Sequence, residues 1–122
     1  MTCPFCKIPE YRIIEESNNW VMVRDQFPVS RGHTLVIYKH HVRDWFDISC
    51  TDQQEALHLI NQAKVSIQQE YEPDGFNIGI NCGRAAGQTV DHCHIHIIPR
   101  YNGDVEDPRG GVRGVIPNKQ KY

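Results

Sequence analysis

A chain of 122 residues with 39% hydrophobic and 23% charged residues has the size and balance of one globular domain, with no composition break to mark a second. No apolar run approaches the ~20 residues that span a bilayer, and the start MTCPFCKIPEYR has no apolar signal core, so a soluble, cytoplasmic protein without membrane partners is expected. Thirteen basic against fifteen acidic residues give a net charge of −2, which argues against a nucleic-acid polymer as partner and requires any anion site to be local.

The predicted elements begin with two β-like runs, Tyr11 to Glu16 and Trp20 to Asp25. A turn-rich connection, DQFPVSRG, leads to a third run from His33, HTLVIYK, whose apolar residues on both parities predict a central strand covered on both faces. A short helical turn is expected around Arg43 to Phe46. Residues 52–71 are the one strong helix, with Ala56, Leu59, Ile60, Ala63, Ile67 and Tyr71 forming a stripe at three-to-four spacing. Thr51 with Gln54 is read as its capping box, and Pro73 with Gly75 closes it.

FNIGIN then alternates Phe76, Ile78 and Ile80 on a buried face with Asn77, Gly79 and Asn81 on the other. The loop CGRAAGQTV runs into VDHCHIHIIPR, where Cys93 and Ile95 alternate with His92, His94 and His96. Two neighbouring strands thus offer a face free for chemistry. The last segment, 101–122, is rich in Gly and Pro and predicts no regular element.

Three histidines in strict alternation are poorly explained as solvated strand residues, since like-facing imidazoles are neither good strand formers nor good partners for one another. A single metal cage fails on distance: His92 and His96 stand ~13 Å apart along a strand, while zinc holds nitrogen at ~2.0 to 2.1 Å. A division of labour remains, in which the middle histidine acts as nucleophile or base between two supporting neighbours.

His92-Cys93-His94-Ile95-His96-Ile97-Ile98 resembles the HxHxHxx pattern of the histidine triad (HIT) superfamily of nucleotide hydrolases and transferases. GHTLVIYKHH resembles that family's GHxLVIPKxH strand, with Tyr38 in place of the proline. GFNIGIN and AGQTVDHCHIHIIPR resemble its next strand and its loop into the triad. The resemblance covers residues 3 to 100. It implies a HIT-like α+β fold, an antiparallel sheet of about five strands with one long helix and a short one, in a single domain over 1–122 that pairs into a homodimer. It also implies a nucleotide substrate attacked at its α-phosphorus by His94, through a nucleotidyl-histidine that water resolves. His96 and His33 match the supporting histidines, Asn81, Gln88 and Thr89 the polar groups of the phosphate or leaving-group side, and Asp25 the ribose-hydroxyl acceptor. AGQTVxHxHxHxxPR followed by Gly103-Asp104 is closer to the dinucleoside polyphosphate hydrolase branch than to the nucleoside phosphoramidase branch. A nucleotide-binding adaptor with little turnover is the rival from another class.

Cys3-Pro4-Phe5-Cys6 is a CxxC whose redox reading needs a helix start inside a βαβ unit, and neither is visible; two incidental thiols remain possible. The resemblance to zinc-bearing bacterial HIT-like proteins supplies a second pair, His41 and His92. A structural zinc, one per chain and with no organic cofactor, is expected to anchor residues 1–10 through Cys3, Cys6, His41 and His92. Cys50, Cys82 and Cys93 are read as small apolar residues or free thiols. In the basic tail, Arg109 and Arg113 either meet substrate phosphates, sit on a solvated meander, or cross to a partner chain.

Overall fold

The computed structural model describes residues 3–122; Met1 and Thr2, the first two residues of the expected N-terminal anchor, lie outside the described residues. Five strands, β1 (Ile13–Glu16), β2 (Trp20–Arg24), β3 (Thr34–Tyr38), β4 (Gly75–Gly79) and β5 (His94–Arg100), form one antiparallel sheet in the order β1-β2-β3-β5-β4. One long helix, α1 (Cys50–Glu70), packs on β2, β3 and β5. This is the expected α+β architecture, and no helix among the described residues is long and apolar enough to cross a membrane.

The helix stripe is buried as its spacing predicts: Ala56, Leu59, Ala63 and Ile67 have no exposed surface, while Ile60 and Tyr71 pack at the margin. They meet Trp20, Met22, Val36, Ile95 and Ile97 from the sheet. Each fully buried Leu or Ile contributes about 1.5–3 kcal/mol. The cap differs from the expected Thr51–Gln54 box. Ser49 is the N-cap, and its hydroxyl accepts the Asp52 N–H at 3.2 Å. Asp52 is held in the first turn by tertiary bonds, because the Tyr38 hydroxyl donates to its carboxylate and Trp20 Nε1–H donates to its carbonyl at 2.7 Å. Ser49-Cys50-Thr51-Asp52 thus starts the helix earlier than Thr51 would, with an acidic side chain at the positive end of the helix dipole.

All five residues of β3 are buried. Its second face meets Val21, Val23 and the partly buried Phe5, Ile8 and Ile13. Phe76 on β4 and Ile80 just after it reach the core, but Ile78 is 50% exposed, since an edge strand has a neighbour on one side only. The expected turn near residues 43–46 is a 3-10 turn at Trp45–Asp47, capped by the Asp44 carboxylate. The tail is more ordered than its composition predicts. Two 3-10 turns, Gly111–Val115 and Pro117–Lys119, are clasped by Arg113, whose guanidinium donates to the carbonyls of Gln120 at 3.2 Å and Lys119 at 2.8 Å.

Two details of β3 position the site. Tyr38 N–H donates to the Cys93 carbonyl at 3.2 Å, a bond that the proline of the resembling motif cannot make. Gly32, just before the strand, has φ +89°, and a Cβ there would stand 2.9 Å from the Tyr71 ring. Gly32→Ala is therefore expected to cost about 1–3 kcal/mol of stability, read as a lowered denaturant midpoint; an unshifted midpoint would contradict this packing.

Candidate active site and metal centre

The β3–β5 pairing sets Leu35 opposite His96 and Ile37 opposite His94, and β4 sets Gly79 opposite His96. His94 and His96 therefore stand on the face turned away from α1, over a floor of Leu35 and Ile37. His33 precedes β3 and reaches the same face, with its Nε2 3.0 Å from His96 Nδ1.

Backbone groups with fixed roles set the proton positions on these rings. The His92 carbonyl can only accept, so in the 2.7 Å contact His94 Nδ1–H donates to it, which leaves the Nε2 lone pair of the neutral ring free. Val29 N–H can only donate, and it does so to His33 Nδ1 at 3.1 Å. His33 Nε2 therefore carries the proton and donates it to His96 Nδ1. His96 is left with an Nε2–H, and the rings of His94 and His96 meet edge to face with centroids 5.0 Å apart. The result is a lone pair at His94 beside a donor at His96.

Burial keeps these supports neutral. Desolvation first, then the neighbouring His94 and His33, pushes His96 down to about 4. His33 is lowered mainly by burial, and the Asp25 carboxylate partly offsets this. Asp25 Oδ2 lies 3.5 Å from His33 Nε2, while its Oδ1 accepts Phe27 N–H at 2.9 Å. Asp25, His33 and His96 are close enough to suggest a cation site, but Val29 N–H occupies His33 Nδ1 and so keeps a proton on Nε2, removing it as a ligand.

Two cavities meet at His96. One, about 240 Å³, is bounded by Phe5, Asp25, Phe27, Leu35, Thr89 and His94. The other, about 340 Å³, is bounded by His33, Gly79, Asn81, Val112 and Val115. The structure thus brings His33, His94, His96, Asp25, Asn81 and Thr89 together. Three other expected residues are placed differently. Gln88 is buried, and its amide is used inside the loop: Oε1 accepts Gly83 N–H at 2.8 Å, and Nε2–H₂ donates to the carbonyls of Arg43 and Val90. It shapes the loop that presents Thr89 and has no donor left for a phosphate. Arg113 is committed to the tail clasp and stacks on Tyr122, its guanidinium carbon 4.6 Å from the ring centroid. Arg109 is exposed, with no side-chain bond among the described residues. Sequence reading missed Phe5, Phe27 and the backbone of Val29 and Tyr38. Phe5 had a signal, since it sits between two cysteines expected to share an ion; the backbone groups had none.

His92 turns away from this pocket. Its Nε2–H donates to the Tyr38 carbonyl at 2.6 Å, so Nδ1 is free to ligate. That atom lies 3.4 Å from Cys3 Sγ, 3.6 Å from Cys6 Sγ and 3.3 Å from His41 Nδ1, and Cys6 Sγ lies 3.1 Å from His41 Nδ1. A tetrahedral zinc with bonds of ~2.3 Å to sulfur and ~2.0 to 2.1 Å to nitrogen requires edges of ~3.5 Å for S···N and ~3.3 Å for N···N. The four residues fit that ion. The Tyr38 carbonyl is the outer partner that fixes the ligand tautomer, and Phe5 N–H points at Cys3 Sγ at 3.4 Å.

The family model described as the HIT domain matches residues 7–103. A crystal structure of a Zn-bound histidine triad family protein from Mycobacterium smegmatis superposes with TM-score 0.75 at 37% identity, covering 87% of this chain and 80% of that one. Adenosine 5'-monophosphoramidase hnt1 of Schizosaccharomyces pombe is 36% identical over 107 residues, 84% of this chain and 77% of that protein. The structure of Plasmodium falciparum diadenosine triphosphate hydrolase in complex with Cyclomarin A matches with TM-score 0.75 at 27% identity, covering 82% of this chain and 68% of that one.

Two predictions test this geometry. His96 and His33 titrate in the folded state below the ordinary histidine value of ~6.5, so the unfolded chain binds more protons in between. Their contribution to stability is complete above ~6.5 and is lost as pH falls toward about 4. His96→Asn is expected to lose less stability than the native protein between pH 7 and 4 in denaturant titrations; parallel pH profiles would refute the buried neutral histidine. Metal analysis of purified protein is expected to find about one zinc per chain, and Cys6→Ser to lose it together with part of the stability. Metal-free native protein of undiminished stability would remove zinc from the account.

Proposed function

The chain belongs to the HIT domain family, and from that premise we propose that it is a nucleotide hydrolase acting at the α-phosphorus of dinucleoside polyphosphates. The observation that carries the reading is the 2.7 Å bond from His94 Nδ1–H to the His92 carbonyl, which aims an unprotonated Nε2 into the pocket. In the proposed reaction that lone pair forms a bond to the α-phosphorus, and the bond from phosphorus to the leaving oxygen breaks on the opposite side. Water then hydrolyses the nucleotidyl-histidine and releases the mononucleotide. Phosphorus chemistry of this kind mainly needs positioning and donors aimed at the equatorial oxygens. His96 Nε2–H and the Thr89 hydroxyl are the proposed donors, with Asn81 on the leaving-group side. Asp25 is proposed to accept from the ribose hydroxyls, with Phe5 and Phe27 beside the base. The two cavities on either side of His96 give each half of a dinucleotide a place. Zinc at Cys3, Cys6, His41 and His92 is proposed to be structural, with all four positions closed by protein and none open for a substrate oxygen.

One observation favours phosphoramidates as a second substrate class. Beyond the leaving-group cavity, Arg100 is paired with Asp104 at 2.7 Å and Lys121 with Asp107 at 3.5 Å, and Arg113 is held in its clasp. A long polyphosphate would find these cations already engaged, whereas an amine leaving group needs none. The Schizosaccharomyces pombe relative is named for that activity. We further propose a homodimer formed through the open edge of β4, where Ile78 is half-exposed, in a reducing cytoplasm that suits five cysteines with no disulfide among them.

Purified protein assayed in parallel with a dinucleoside polyphosphate and an adenosine phosphoramidate is expected to turn over at least one of them, and His94→Ala to lower that rate by a factor on the order of 10⁴ or more. An unchanged rate in the variant would sink the nucleophile; no turnover of either substrate by the native protein would favour the binding module.

A further inference from the structure

The loop between the two zinc cysteines is also a wall of the active site. Phe5 lies between Cys3 and Cys6, with its ring centroid 4.9 Å from that of His94 and 6.1 Å from that of His92. It packs against the apolar floor that includes Leu35. Apart from this packing of Phe5, and of Ile8 at the end of the loop, on the sheet, little holds the loop in place. Among the described residues, the hydrogen bonds made by residues 3–8 are local, Cys6 N–H to the Cys3 carbonyl and Phe5 N–H to Cys3 Sγ, or run from the two thiols to His41 and His92. No strand includes these residues. Beyond the apolar contacts of Phe5 and Ile8, the position of the Phe5 ring depends on what joins Cys3 and Cys6 to the two imidazoles.

Resting on the reading of this pocket as a nucleotide site, we propose that metal occupancy of the Cys3, Cys6, His41 and His92 cluster and nucleotide occupancy at His94 are thermodynamically linked through Phe5. With the ion bound, its bonds hold the loop and Phe5 closes the pocket. Without it, contacts between neutral thiols and imidazoles are weak, and the loop populates open arrangements. A nucleotide that needs the Phe5 wall must then select the closed fraction, and its apparent affinity falls by that fraction. Linkage is reciprocal, so a bound nucleotide retains the metal by the same factor. Phe5 is thus a positioning residue, joining two sites that share no ligand. Cys6 and His41 are exposed, so a competing chelator can reach the ion and the coupling can be measured at equilibrium.

The test uses zinc-loaded full-length protein and AMP as the probe. Zinc affinity is measured by competition with a chromophoric chelator, with and without saturating AMP, and AMP affinity is measured by calorimetry on zinc-loaded and zinc-stripped protein. AMP is expected to tighten zinc binding by about fivefold or more, and zinc to tighten AMP binding by the same factor. Phe5→Ala is expected to keep the zinc while the coupling factor falls toward one, and Phe5→Leu to restore part of it. Zinc affinity unchanged by AMP in the native protein, or a coupling factor undiminished in Phe5→Ala, overturns the linkage and leaves the nucleotide site standing. No binding of AMP to the zinc-loaded protein overturns both.

Discussion

Every functional contact in this molecule depends on the antiparallel pairing of β3 with β5. The register that sets Leu35 opposite His96 and Ile37 opposite His94 puts both histidines on the face away from the helix, above an apolar floor. A slip of one residue would exchange the faces, sending His94 and His96 into the helix contact and Ile95 and Ile97 into the pocket. The register is enforced from the other side: Ile95 and Ile97, with no exposed surface to speak of, fill the core against α1. Core packing and the placement of His94 and His96 are thus the two faces of one alternation. The same pairing brings the end of β3 under the start of β5, where Tyr38 N–H donates to the Cys93 carbonyl and the Tyr38 carbonyl accepts from His92 Nε2–H.

Three identical side chains take up two tautomers and three settings because each ring meets a different partner, a backbone carbonyl for His92 and for His94 and the His33 ring for His96. His92 gives Nε2–H to a carbonyl, which leaves Nδ1 toward Cys3, Cys6 and His41; His94 gives Nδ1–H to a carbonyl, which leaves Nε2 toward the pocket. His96 accepts from His33, whose own proton is placed by the Val29 amide. Fixed donors and acceptors of the main chain cannot change role, so these states are set by the fold and cost no rearrangement when a substrate arrives. Burial reinforces them: a ring held at about 4 or otherwise lowered stays neutral through the physiological range.

The alternation of the histidine strand, the long helix and its stripe, and the two-sided burial of β3 were legible in the sequence because each follows from a short repeat of apolar residues. The expected Zn ligand set and the proposed roles of Asp25, Asn81 and Thr89 rest on resemblance, since nothing local in His41 marks it as a partner of Cys6. The helix cap departs from the expected Thr51–Gln54 box because Ser49–Asp52 offers the same chemistry and two tertiary bonds besides. Gln88 reads as a phosphate ligand by its place in the loop, yet its amide has three partners of its own, and side-chain direction is not encoded by spacing. The tail was hardest to read: Gly110 packs so close to the Gln120 carbonyl that a Cβ there would lie 1.9 Å away, and a clasp built from arginine, carbonyls and glycines has no apolar period to betray it.

His92 is the triad member that turns away from the pocket because it stands before the ladder begins. β5 starts at His94, so His92 is free of strand geometry: its N–H turns back to the Val90 carbonyl at 2.8 Å, while the next residue already pairs, Cys93 N–H with the Val42 carbonyl at 2.7 Å. That break lets the side chain leave the face shared by His94 and His96 and reach Cys3, Cys6 and His41. Had β5 begun one pair earlier, a regular pleat would have aligned all three rings on one face, ~6.6 Å between successive rings along the strand, too far for a shared ion and with no partner for the first. The turn at His92 thus takes a residue that the pocket does not use and sets its ring against Cys3, Cys6 and His41, beside the loop that carries Phe5.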